Sequence, residues 1–210
     1  MRTFTRRWVV VSLAATMGAA QTLRKKEHAV AELVLQTHLE VTGEHLLLHY
    51  HVENRAERDA YLLNRVHDQS LQTDPNLVYI SLDREHRIVK ASKKIPNIPA
   101  GMNPTMPAAP YVTALRSGQS MHEAVQIPLP VREFSAYAAL PEEGQTVTYR
   151  GLVFALGYYW STPGMKERTE QIIPGVEVLI PTPPPAIQIE FGELMSDLMA
   201  ADFKVIETTS

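Results

Sequence analysis

The chain has 210 residues, with 20 Lys and Arg against 23 Asp and Glu, a net charge of −3, and 45% hydrophobic content. That is a globular composition, not a disordered one, and its mild acidity gives no general attraction to nucleic acid or anionic lipid. Cysteine is absent, which excludes disulfides, thiolate metal sites and cysteine nucleophiles.

Residues 1–20 read as a signal peptide. Arg2, Arg6 and Arg7 make a basic start, Trp8–Ala20 is uncharged and mostly apolar, and Gly18-Ala19-Ala20 offers small residues for cleavage before Gln21. As a helix, the apolar stretch would span about 20 Å, short of a hydrocarbon core of roughly 30 Å. No transmembrane span is therefore expected once the signal is removed. Thr5-Arg6-Arg7-Trp8-Val9-Val10 also fits a twin-arginine export signal, so the route is Sec or twin-arginine and the destination periplasmic or secreted. Residues 21–32 form a leader into the domain.

From residue 33 the pattern is that of strands. Leu33–Val41 and Glu44–Glu53 both alternate apolar and polar residues, and a two-residue turn at Thr42-Gly43 would set Leu39 opposite Leu46 and Leu35 opposite Tyr50. Ala60–Val66 follows as a third strand. Leu77–Leu82 and Ile88–Ala91 form a hairpin around Asp83–Arg87. Ile95–Pro110 carries prolines at 96, 99, 104, 107 and 110, and reads as an ordered crossover between sheets. Tyr111–Leu115 is a short strand before a turn at Ser117-Gly118. Val125–Val131 is an edge strand, because Pro128 and Pro130 lack amide donors on the same side.

Thr146–Trp160 is the longest apolar run, and from Gly151 onward it reads as a central strand. Ser161–Gln171 reads as a polar loop, and Val176–Ile180 and Ile187–Phe191 as further strands. Phe191, Leu194, Met195 and Leu198 follow helical spacing, so residues 193–210 are expected to form a short amphipathic C-terminal helix and tail. The fold class is mainly β, an immunoglobulin-like sandwich of about seven to nine strands over residues 33–192.

Candidate chemistry concentrates in histidine. His45, His49 and His51 share one strand face, with His38 on the preceding strand. Side chains two apart on a strand stand about 6–7 Å apart, and neutral imidazoles suit copper or zinc. A solvent-facing strand that uses histidine for no ligand is the alternative. Met102, Met106, Met121 and His122 are available as further ligands but follow no copper-carrier spacing. Tyr158, Tyr159 and Trp160 are candidates for an aromatic binding platform, against an ordinary role as strand aromatics. No catalytic residue is assigned, since no Gly-x-Ser-x-Gly elbow, calcium loop or phosphate-cradling glycine loop is present.

Val52-Glu53-Asn54 before a turn, and Leu115–Gly118 before an edge strand, resemble immunoglobulin-like bacterial accessory domains such as those of protease inhibitors and pilus chaperones. The resemblance covers few residues and carries no functional motif. The expected function is that of an exported, non-enzymatic protein without a cofactor that binds another protein or serves an envelope assembly. The alternative is a periplasmic copper- or zinc-binding protein using His38, His45, His49 and His51.

Overall fold

A computed structural model describes residues 32–68, 70–104, 108–137 and 143–208. The expected signal peptide lies outside the described residues, as does all of the leader except Glu32. The described residues contain twelve strands and no helix: β1 (Leu33–Val41), β2 (His45–Asn54), β3 (Ala60–Arg65), β4 (Tyr79–Asp83), β5 (Ile88–Lys93), β6 (Tyr111–Leu115), β7 (Ser120–Pro128), β8 (Gln145–Trp160), β9 (Lys166–Ile173), β10 (Val176–Thr182), β11 (Phe191–Met195) and β12 (Met199–Glu207). A three-stranded sheet runs β1-β2-β7 and a nine-stranded sheet runs β4-β5-β8-β3-β6-β10-β9, with β11 and β12 also on β8.

Leu46, Leu48, Tyr50 and Val52 from β2, and Val125 and Ile127 from β7, join Leu62, Val89, Ala91, Leu152, Phe154 and Leu156 of the large sheet in one buried cluster. Alternation produces this. The even residues of β2 are fully buried and the odd ones only partly so, as expected of a strand with one face on a core. A smaller cluster of Tyr61, Leu63, Val112 and Tyr159 forms on another part of the large sheet, and Ile95, where the proline-rich segment begins, packs against it.

The first hairpin forms with the expected faces but with its turn one residue later. Val41 pairs with Leu46 and Leu39 with Leu48, so Gly43-Glu44 makes the two-residue turn in place of Thr42-Gly43. The Thr42 side chain explains the difference. Its hydroxyl donates to the His45 carbonyl at 2.8 Å and accepts the His45 amide at 3.0 Å. This ties Thr42 and His45 together as the last rung of the ladder. The register moves by two residues, which keeps every side chain on its expected face. β7 takes the expected edge position, but it pairs along β2 from Ser120 to Pro128 and not over Val125–Val131, so Pro130 lies past its end.

Three expectations are overturned, the first of them the strand at Ile187–Phe191: residues 187–190 form no strand, and β11 begins only at Phe191. The C-terminal helix is absent, and Phe191–Met195 and Met199–Glu207 are strands lying along β8. The reason is the length of β8, 16 residues. A helix beside it would leave one edge of a largely buried strand without hydrogen-bond partners. The 3–4 spacing of Phe191, Leu194, Met195 and Leu198 arises instead from an interrupted strand. Between its halves, Ser196 accepts the Phe154 amide on Oγ at 2.9 Å and donates its own amide to the Phe154 carbonyl at 2.9 Å. Residues 161–171 do not form one loop, because Lys166–Ile173 pairs with β10 as a charged outer strand. With β9, β11 and β12 the described residues hold twelve strands, above the expected seven to nine.

The opposite edge of β8 is divided. Leu156 pairs with Leu194 of β11 and with Lys93 of β5, whereas Tyr159 pairs with Phe191 of β11 and with Tyr61 of β3. β11 therefore holds one edge while β5, parallel, and β3, antiparallel, follow one another along the other. Gly157 stands where they part. A Cβ there would meet Leu63 Cδ1 and Lys94 Cβ, both at 2.8 Å.

Candidate functional site

The outer face of the three-stranded sheet carries the histidines. The observed register sets His38 directly opposite His49 on β2, and His51 opposite His122 on β7. Ring centroids are 6.4 Å apart for His38–His49, 5.8 Å for His49–His122 and 6.5 Å for His51–His122. Four imidazoles thus make a continuous diagonal ladder across three strands. His45 stands at the far end of β2 opposite Pro128 and joins none of these pairs. His122 takes the place expected of His45 in the group. A turn set one residue later, at Gly43-Glu44, would have shown His38 facing His49, and the pairing of β2 with β7 was needed to add His122. Among the described residues, no group of three or more His, Asp or Glu side chains is arranged to hold one metal ion.

Tyr158, Tyr159 and Trp160 do not share a surface. Strand alternation sends Tyr159 to one face of β8, where it stacks on Tyr61 at 5.2 Å and meets Phe191 edge-on at 5.5 Å. Tyr158 and Trp160 occupy the other face, edge to face at 5.5 Å, with the Arg58 guanidinium 4.2 Å above the Trp160 ring.

Between the sheets lies a polar cluster that residue patterns did not indicate. Lys93 and Asn64 are both 0% exposed. Lys93 Nζ donates to the Pro75 carbonyl at 2.7 Å and lies 3.8 Å from the Glu123 carboxylate. The Tyr50 hydroxyl donates to the same carboxylate. Asn64 Nδ2 donates to Glu123 Oε1 at 3.2 Å, and Arg65 pairs with that oxygen at 2.8 Å. Burial pushes the Lys93 amine down to about 8, against the opposing pull of Glu123. Burial also raises the Tyr50 hydroxyl, helped by the adjacent Glu123 charge. In sequence, Lys93 belongs to Lys90-Ala91-Ser92-Lys93-Lys94, which reads as exposed. Only the alternation of β5 on a covered face, with Val89 and Ala91 also buried, could have flagged it.

The outer face of the large sheet holds a groove of about 520 Å3 beside β11, with Ile80, Ile88, Val153, Ala155 and Met195 among its lining residues. Lys94 and Glu193, also in its lining, form an ion pair at 2.7 Å. Met195 in this lining is 66% exposed, and Phe191 at the other end of β11 55%.

No protein-family model, no curated protein and no solved structure matches this chain.

Proposed function

We propose that this chain is an exported, non-enzymatic protein of immunoglobulin-like sandwich kinship that binds another protein, as an accessory component of an envelope assembly. The apolar strip on β11 carries this reading. Phe191 and Met195 project from one face of the strand, and Leu198 follows at 51% exposure. Met195 lines a groove whose apolar lining is interrupted by a few charges. Apolar residues grouped at a groove with charges beside them are the composition of a contact surface. The N-terminal signal sequence supports a periplasmic or secreted location. Among the described residues no helix is long and apolar enough to cross a membrane.

Affinity capture from an envelope extract tests this, with the native chain beside a Phe191→Asp/Met195→Glu variant. A partner held by the native chain and released by the variant is expected. A clean monomer without a reproducible partner counts against the reading.

The histidine ladder favours a second reading, that of a copper- or zinc-binding protein. Its spacing brings neighbouring rings within a side-chain rotation of a shared ion, and imidazole is a preferred ligand of both metals. Titration of the purified chain with either metal decides it. Binding that His49→Ala and His122→Ala each weaken at least tenfold is expected, and nothing tighter than micromolar ends the idea.

A further inference from the structure

Lys93 closes β5 and Asn64 stands near the end of β3, the two strands that share one edge of β8. The crowding of Leu63 and Lys94 over Gly157 shows how closely the two segments approach where they part. Both side chains are fully buried, and both reach the one carboxylate of Glu123 on the facing sheet. A primary amine and a carboxamide, both buried, therefore meet a carboxylate whose side chain is 15% exposed. The carboxamide oxygen of Asn64 is buried with no hydrogen-bond partner. An orphaned acceptor of this kind is uncommon in a core and calls for an explanation.

We propose that Lys93 and Asn64 become joined by an isopeptide bond within the chain, with Glu123 carrying the proton. The lone pair of the neutral Lys93 Nζ attacks Asn64 Cγ and forms the new C–N bond. Glu123 takes one proton from Nζ and delivers it to Asn64 Nδ2, to which it is already hydrogen-bonded. The Cγ–Nδ2 bond breaks, and ammonia leaves. The step needs no oxidant, reductant or added reactant. Burial lowers the Lys93 pKa to about 8 and so raises the share of the uncharged amine, the form that acts as a nucleophile. Arg65 and Tyr50 hold the carboxylate in place between the two reacting groups. The product would link β3 to β5 covalently, where the backbone provides no ladder between them.

Intact mass spectrometry of the purified protein, followed by a tryptic map, tests this. The expected mass is below the sequence mass by one ammonia. A branched peptide should join residues 59–65 to residues 91–94, since an acylated Lys93 resists trypsin. Lys93→Met, which keeps an unbranched side chain, and Asn64→Ala should each restore the full mass of their own sequence. Glu123→Gln should leave Lys93 free in most molecules. A native chain of full mass with a free Lys93 peptide overturns the proposal. So does hydrolysis of Asn64 to aspartate, or a loss of ammonia that the map places at Gln21 or another amide.

Discussion

Gly157 and Lys94 stand so close that a β carbon on the glycine would lie 2.8 Å from the Lys94 β carbon and 3.1 Å from its α carbon. The obstruction is partly backbone, so a side-chain rotation does not relieve it, and Leu63 closes the other side at 2.8 Å. Gly157→Ala should therefore destabilise the fold by about 1–3 kcal/mol through overpacking. A lower urea midpoint with an unchanged slope is the expected signature, and equal midpoints would contradict the close approach of β3 and β5.

Asn54 fixes the chain as it leaves β2. It is fully buried, donates from Nδ2 to the carbonyls of Arg58 and Leu115 at 2.9 Å each, and accepts the Ala56 amide at 3.0 Å. Asn54→Ala removes three hydrogen bonds and strands a buried carbonyl, so a loss of about 2–4 kcal/mol is expected. Thermal denaturation measures it. Asn54→Asp should be no milder, because its carboxylate would face two carbonyl oxygens.

Acid should weaken the large sheet at Glu167. Arg116 grips this carboxylate through two nitrogens at 2.5 and 2.6 Å, and Tyr61 donates to it at 2.6 Å. The Arg116 hydrogen bonds hold its pKa below the ordinary carboxylate value, with Tyr61 adding to the effect. The unfolded chain thus takes up the proton first as pH falls, so stability rises with pH across this window. The contribution is complete above the ordinary carboxylate range and declines as pH drops through it to the lower folded value. Glu207, held down by Tyr149 and Arg87, acts in the same direction. Glu167→Gln should cost about 1–2 kcal/mol near neutral pH and less at pH 3. Denaturant titrations at several pH values measure that convergence, and parallel curves would contradict it.

The mainly β class, the first hairpin's faces and the edge position of β7 were legible because alternation and proline placement are local properties. What the sequence concealed depended on partners distant in the chain. Thr42 locks the turn through its own side chain, which a choice based on glycine position does not weigh. Lys166–Ile173 looks like a loop because six of its eight residues are exposed, yet β10 gives it a ladder. The spacing of Phe191 to Leu198 imitates a helix because the strand is broken at Ser196. In the histidine face, strand parity placed His49 and His51 together, but only pairing with β7 brings His122 beside both. Lys93 carries a charge that normally marks a surface, and nothing local announces that another sheet covers it.

The shared edge of β8 also has a consequence in time. A chain that emerges amino end first, from a ribosome or through an export channel, presents β3 and β5 long before the strand that both must pair with. The backbone groups of β5 that face β8 stay unmatched until residues 151–156 arrive, and the second edge of β8 waits longer still, for residues 191–207. The large sheet cannot be completed while the chain is threading. Its first half must be kept from pairing with other chains until the last strand is free.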